Sequence, residues 1–112
     1  MAVTAKPLFQ AVQAAAAEAT QYTAPAGTRT IVDKFTGTNT TGVAATLTVK
    51  LIASGGSAGA GNTVVSTKTL AAGETYTFPE VVGHVLSPGD FLSTLAGTAA
   101  AITVRASGRE VT

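Results

Sequence analysis

The chain has 112 residues, carries seven Lys and Arg against six Asp and Glu, and contains no cysteine. This length fits a single domain, and the missing cysteine excludes a disulfide framework and a thiolate zinc site. The net charge of +1 is scattered rather than gathered into a basic run, and no apolar stretch reaches the roughly 18–20 residues of a membrane span, so neither nucleic acid nor a membrane is an expected partner.

Charged residues make up only 12% of the chain, well below the share that is usual in globular proteins. A surface with so few charges is solvated by hydroxyl groups and backbone, or it is covered by partners. Low surface charge also favours association over mutual repulsion. The composition is therefore a first indication of a protein that assembles.

The first twenty residues predict either a short helix or an arm. Pro7 suits a first helical position, and the run Ala14–Ala17 has high helix propensity. Leu8, Phe9 and Val12 fall near one helical face, and they are the candidate partner-binding residues. Because so short a helix is marginal in water, we expect the segment to pack on its own domain or to order against a neighbouring subunit.

From residue 21 onward the sequence is rich in Thr, Val, Ile and Gly, which are typical of strands and turns. Residues 28–36 predict a strand in which Asp33 shares a face with Ile31 and Phe35. A partly wet face, a bulge that redirects the carboxylate, or a paired cation would each explain this position. Further strands are predicted at 46–51, 63–70, 75–78, 91–95 and 102–107.

The clearest strand pattern covers residues 46–51, where Leu47, Val49 and Leu51 alternate with threonines and with Lys50. A period of two predicts one buried face and one exposed face, and it places Lys50 on the exposed one.

Six or seven short strands separated by turn signals predict an all-β fold, either an antiparallel β-sandwich or a small barrel. No helical pattern alternates with the strands, so a βαβ architecture is not expected. The predicted organisation is an N-terminal arm or helix over residues 1–20, followed by a β-sandwich domain over residues 21–112.

Few residues could carry chemistry. His84 is the only histidine and has no cysteine or second histidine with which to hold a metal, so we expect it to pack or to anchor a loop. Glu74, Glu80 and Asp90 could meet in space, but no calcium-loop spacing accompanies them and each follows a turn glycine or proline. We therefore expect no catalytic site, no metal and no cofactor, and a protein that is not an enzyme.

Two local patterns have simple interpretations. The segment Ser54–Gly61 is rich in Gly, Ser and Ala and predicts a flexible loop, without the lysine pattern of a phosphate-binding loop. Asn39-Thr40-Thr41 matches the acceptor pattern for N-glycosylation, which matters only in a secretory eukaryotic protein.

Five segments resemble short virion structural proteins of tailed bacteriophages. They are Tyr22–Val32, Thr38–Thr40, Leu70–Tyr76, Val82–Leu86 and Pro88–Asp90. The first twenty residues lie outside the resemblance, which supplies no catalytic residues. Capsid decoration proteins are small, often β-rich and commonly trimeric or dimeric, with terminal arms that lie across neighbouring capsid subunits.

The resemblance implies a capsid decoration or cement protein that binds the major capsid protein as a homotrimer or homodimer. It would lie on the capsid exterior, and in the host cytoplasm during assembly. The alternative is a collar, tail or fibre component that binds a receptor or a glycan through loops near residues 54–62 and 96–100. A secreted β-sandwich adhesion domain is a third interpretation.

Overall fold

A computed structural model describes residues 2–112, which form strands, turns and loops. Within this range the helical structure is limited to one 3₁₀ turn at Ala60–Asn62. The nine strands are β1 (Val3–Gln13), β2 (Ala19–Thr23), β3 (Arg29–Asn39), β4 (Ala45–Ile52), β5 (Thr63–Leu70), β6 (Thr75–Thr77), β7 (Val85–Leu86), β8 (Phe91–Ala96) and β9 (Ile102–Val111).

The strands form two antiparallel sheets that pack face to face as a sandwich. Sheet I has the order β1-β9-β3-β6, with β7 also pairing with β3, and sheet II has the order β2-β8-β4-β5. The predicted all-β antiparallel fold is confirmed, and its architecture is the sandwich rather than the barrel. Most pairings join segments far apart in sequence, so the core forms only when distant parts of the chain meet.

The helical alternative for the N-terminal segment is wrong, because residues 3–13 form strand β1 at the edge of sheet I. An isolated helix of this length gains little in water, whereas the edge of β9 offers backbone partners from Val3 to Gln13. The alanine run also does not form a helix. Ala14 is fully buried in the core, and its N–H donates to the carbonyl oxygen of Ile102 (2.8 Å).

A register shift between Pro7 and Phe9 explains how β1 reaches the core. Such a bulge inserts an extra residue and redirects side chains. Consecutive residues Leu8 and Phe9 both contact the core, Leu8 as a buried member and Phe9 as a half-buried one. Neither helical periodicity nor simple alternation predicts this arrangement.

Both faces of β4 are largely buried, which corrects the predicted pattern for this strand. Thr48 and Lys50, expected to be exposed, are each 8% exposed, whereas Leu51 is only half-buried. Part of the outer face of sheet II is covered, because Lys50 Nζ contacts Glu18 Oε1 (2.7 Å) and the loop after β4 brings Gly56 close to the Ile52 side chain. The coverage comes from segments outside the strand, which a periodic pattern cannot reveal.

A row of aromatic rings crosses the interior of the sandwich. Phe9 of β1 meets Phe35 of β3 edge to face with centroids 6.1 Å apart, and Phe35 meets Phe78 at 5.3 Å. Phe78 in turn meets Tyr76 at 4.8 Å, and Lys68 Nζ of β5 lies 4.5 Å from the centroid of the Tyr76 ring. The ring contacts run from β1 at one edge of sheet I to β6 at the other, and Lys68 connects the last ring to sheet II. Their geometries are those that aromatic rings prefer.

The position of Asp33 is explained by a bulge together with a paired cation, which are two of the three expected explanations. A register shift in β3 between Val32 and Lys34 places Asp33 in a bulge. Its carboxylate accepts hydrogen bonds from Arg109 of β9 at 2.9–3.2 Å. Both side chains are more than 40% exposed, so the pair contributes little to stability.

Asn39 is fully buried and ties the turn after β3 to the core. Its Nδ2 donates to the carbonyl oxygens of Val43 (2.7 Å) and Leu70 (3.0 Å), and its Oδ1 accepts from the N–H of Thr41 (2.9 Å). The glycosylation pattern at this residue is therefore not accessible in the folded chain.

Gly108 of β9 lies between β1 and β3, and the bulges of both strands fall next to it. A Cβ atom at this position would stand 2.2 Å from the carbonyl oxygen of Ile31 and 3.2 Å from Leu8 Cδ1. The backbone of sheet I tolerates only a hydrogen atom there.

We expect Gly108→Ala to lower the free energy of unfolding by about 3 kcal/mol or more, because the β3 backbone must move away from the new methyl group. Urea unfolding followed by circular dichroism measures this change. Gly59→Ala is the matched control, since nothing lies within 4 Å of a Cβ at Gly59 and its φ is −170°. Equal stabilities for the two variants would contradict the close packing at Gly108.

Candidate assembly surfaces

The three predicted partner-binding residues all lie on β1, but they differ in accessibility. Leu8 is 7% exposed and belongs to the core, Phe9 is half-buried against the core, and Val12 is 38% exposed. Val12 is therefore the one most available to a partner in the folded chain. That these residues bind a partner stays a prediction.

β1 is the longest edge strand of the sandwich, and all its residues except Leu8 and Phe9 are exposed. The exposed apolar side chains include Val3, at 56%, and Val12. The unpaired edge is interrupted by Pro7, which has no N–H, by the charged Lys6 and by two bulges. Such features discourage an additional strand from pairing with that edge.

The other sheet edges offer less regular backbone. In sheet II, β2 has only five residues, and β5 is kinked at Thr67, whose φ is 43° and whose N–H donates to Thr48 Oγ1 (2.9 Å). On the far side of β3, the short strands β6 and β7 and the turn between them cover the edge. β1 is therefore the most extended candidate contact surface.

A cluster of polar side chains at one end of the sandwich joins β1, β9 and β3 of sheet I to β2 of sheet II. The Tyr22 hydroxyl donates to Glu110 Oε2 (2.5 Å) and accepts from Thr30 Oγ1 (2.7 Å). The other Glu110 oxygen lies 3.5 Å from Lys6 Nζ of β1. Burial, followed by the hydrogen bond to Glu110, raises the pKa of Tyr22 to about 12.

The raised pKa predicts a loss of stability at alkaline pH. In the unfolded chain a tyrosine pKa is about 10, so between pH 10 and 12 the unfolded chain releases a proton that folded Tyr22 retains. The contribution is thus fully present below about pH 10 and is lost as the pH rises toward 12.

Tyr22→Phe removes the titrating hydroxyl but keeps the ring, so its unfolding free energy should fall less between pH 9 and 11 than that of the unsubstituted chain. Urea titrations at the two pH values measure the difference. Glu110, which accepts from the ring hydroxyl, and Lys6, which contacts Glu110, are present in both proteins and act as an internal control. Parallel pH profiles would contradict the assignment.

A second cluster fixes the link between β1 and β2 to the outer face of sheet II. Glu18 accepts hydrogen bonds from Lys50 Nζ and from the Ser93 hydroxyl. Burial alone would raise the pKa of Glu18, but these two hydrogen bonds and the charge of Lys50 together hold the pKa below its usual value. The link is therefore anchored at its end, immediately before β2.

Sequence reasoning missed both clusters. Glu18 and Lys50 are 32 residues apart, and Tyr22 and Glu110 are 88 residues apart, so no local spacing connects them. The one available signal was the low overall charge, which makes each remaining charged residue a candidate for a specific contact.

Glu74 and Asp90, two of the three acids considered as a possible site, accept hydrogen bonds in separate turns. Glu74 Oε1 accepts from the N–H of Ala71 (2.7 Å), which closes the turn before β6. Asp90 accepts from the N–H groups of Ser87 and Ser54, each at 3.0 Å, and so links the turn before β8 to the loop after β4. Within residues 2–112 no group of three or more His, Cys, Asp or Glu residues could hold a metal ion.

The third acid and the histidine also lie in local surroundings. Glu80 accepts from the Tyr76 hydroxyl (3.2 Å) on the surface. His84 is exposed, and its carbonyl oxygen accepts from the N–H of Val32 (3.1 Å), so its backbone holds the turn before β7 against β3. Glu74, Glu80, Asp90 and His84 do not form one site.

Of the two loops proposed for receptor or glycan binding, only the one near residues 96–100 borders a shallow groove. A groove of about 270 Å³ on the outer face of sheet II is lined by Leu95 and by smaller residues, namely Ala16, Thr46, Thr48, Thr67, Ala96 and Gly97. No aromatic ring lines it, so it lacks the flat stacking surface on which sugars are usually held. The loop after β4 is folded back on itself, since Asn62 Nδ2 donates to the carbonyl oxygen of Ser57 (2.8 Å).

The strand pairings and these contacts define an antiparallel β-sandwich in which Glu18, Glu74 and Asp90 hold loops and turns in place. No helix within residues 2–112 has the length and apolar character needed to cross a membrane. No family model matches the sequence, and no curated protein matches it significantly.

Solved structures include proteins of similar fold. One belongs to the Bacillus endospore appendages, a family of disulfide-linked pili, with a TM-score of 0.52, 19% identity, and coverage of 98% of this chain and 88% of that one. Another is a chain of infectious bursal disease virus, Gx strain, with a TM-score of 0.49, 16% identity, and coverage of 97% and 32%. The first similarity shows the sandwich fold alone.

Proposed function

We propose that this chain is a non-enzymatic structural protein of a tailed-phage virion, which decorates and stabilises the capsid by binding the major capsid protein as a homotrimer or homodimer. It acts on the capsid exterior and is present in the host cytoplasm during assembly. The observation that carries the proposal is the long edge strand β1, which is exposed along most of its length.

The surface is suited to extended contact rather than to capture of a small molecule. It combines a low charge content with exposed valines on β1, whereas the groove on sheet II is shallow and lined mainly by small side chains. A decoration protein gains strength from many modest contacts repeated by the symmetry of the capsid, so no single deep pocket is needed.

The chain has no cysteine, so its copies join without the disulfide links described for the Bacillus pili. Non-covalent contacts must then supply the whole binding free energy. The exposed side chains of Val3 and Val12 on β1 are groups that the fold offers for such contacts.

Deleting residues 2–20 cannot serve as a clean test of binding. The deletion removes Leu8 and Ala14 from the core, and it leaves the edge of β9 unpaired. The truncated chain is expected to lose stability as well as any binding surface, so a point substitution on the exposed part of β1 is needed instead.

We expect Val12→Asp to weaken binding to empty capsids of the source phage about tenfold or more, because a charge replaces an apolar contact in every copy. Co-sedimentation with capsids measures bound protein against free concentration. Val43→Asp, at a valine that is 68% exposed in the turn between β3 and β4, is the matched control and should bind normally.

Thermal unfolding of both variants establishes that they remain folded. If Val12→Asp coats capsids as well as Val43→Asp does, β1 is not the capsid-binding surface. Electron microscopy of labelled particles then tests the location directly: copies spread over the head support decoration, and a few copies at one vertex indicate a collar or tail component.

A further inference from the structure

Residues 2–9, which comprise Ala2 and the N-terminal part of β1, form backbone hydrogen bonds with one strand only. Their backbone pairs entirely with β9, in a register that runs from Val3 opposite Val111 to Phe9 opposite Ala106. Ala2 and Thr112 extend the ladder with two further hydrogen bonds. This segment is exposed apart from Leu8 and Phe9.

The ladder between β1 and β9 breaks at a single place after this segment. A second register shift lies between Phe9 and Val12, so that Gln10 and Ala11 form an exposed bulge. Beyond it the chain is fixed again, because the N–H of Ala14 donates to Ile102 and the carbonyl oxygen of Ala15 accepts from the N–H of Ala96 (2.9 Å). Gln10 and Ala11 can therefore change direction without disturbing the rest of the domain.

The outer edge of β1 is a poor site for joining two copies. Pro7 lacks a donor, Lys6 is charged, and the bulges bend the strand, so a second copy cannot add a regular strand there. The pairing that β1 makes well is the one with β9. A joint between copies that uses the backbone of β1 must therefore use this same pairing.

We propose that residues 2–9 of one copy leave their own β9 and pair with β9 of a second copy, in the register seen within one chain. The partner is thus a second copy of this chain, and the proposal deepens the self-association on which the proposed function rests. Leu8 of one copy fills the core of the next, and Lys6 of one copy pairs with Glu110 of the next.

The exchanged and closed forms share the same contacts, so local concentration decides between them. A strand tethered to its own domain competes at an effective concentration of about millimolar. Exchange is therefore weak in dilute solution and is favoured where copies are held side by side, as on a capsid.

The absence of cysteine allows a direct test by disulfide trapping. Val3→Cys and Val111→Cys, introduced into separate chains, are co-refolded at about 1 mM, the effective concentration of the tethered strand, and then oxidised. One of the two chains carries a mass tag. Exchange brings the two thiols together across the β1–β9 pairing, and a tagged heterodimer forms that reducing agent separates. Ala5→Cys with Arg109→Cys is a second pair in register.

Val3→Cys with Thr103→Cys is the control, because Thr103 pairs with Gln13 at the opposite end of β9. We expect both in-register mixtures to give at least about tenfold more heterodimer than this control. A single chain carrying both Val3→Cys and Val111→Cys shows whether the disulfide can form at all. If that chain closes internally while the mixtures give no more heterodimer than the control, exchange is refuted.

The outcome is separable from that of the proposed function. Copies that associate and coat capsids without any cross-link would overturn the exchange and leave the decoration role standing. Cross-linked copies that ignore capsids would support the exchange and overturn the decoration role.

Discussion

β9 is the strand on which the rest of the sandwich depends, because it pairs with β1 on one side and with β3 on the other over almost its full length. It comes last in the chain, so sheet I cannot form until the C-terminal segment reaches strands from the first third of the sequence. The bulges of β1 and β3 fall beside the same part of β9, where Gly108 permits their close approach. One brings Leu8 into the core, and the other leaves Asp33 at the surface.

Several of the few charged residues form contacts between elements that are far apart in the sequence. Glu110 ties β9 to Tyr22 and to Lys6, and Glu18 ties the link before β2 to Lys50 on the outer face of sheet II. Within residues 2–112 every buried side-chain nitrogen or oxygen has a hydrogen-bond partner. The polar groups of the interior are thus paired, and the longest exposed edge is β1, where the proposed contacts with partners lie.

The strands from residue 29 onward could largely be predicted from the sequence, because turn residues separate them and β-branched residues fill them. The N-terminal strand could not be predicted, since Leu8, Phe9 and Val12 also fit a helical face. Pairing with β9, which lies at the opposite end of the sequence, makes this segment a strand. The burial of Lys50 was equally hidden, because the covering residue Glu18 lies in another segment. That Leu8, Phe9 and Val12 bind a partner stays a prediction, and the bulge that turns Leu8 inward leaves Val12 as the most exposed of the three.

The proposal that this sandwich is a self-associating subunit of a capsid surface can be tested by measuring the molar mass of the protein in solution. Size-exclusion chromatography with light scattering would be run on the full chain, first alone and then with empty capsids. We expect a dimer or trimer when the chain is loaded at about 1 mM, where exchange between copies competes with the closed form, and we expect it to move onto capsids in many copies. A monomer that stays separate from capsids would contradict the proposal.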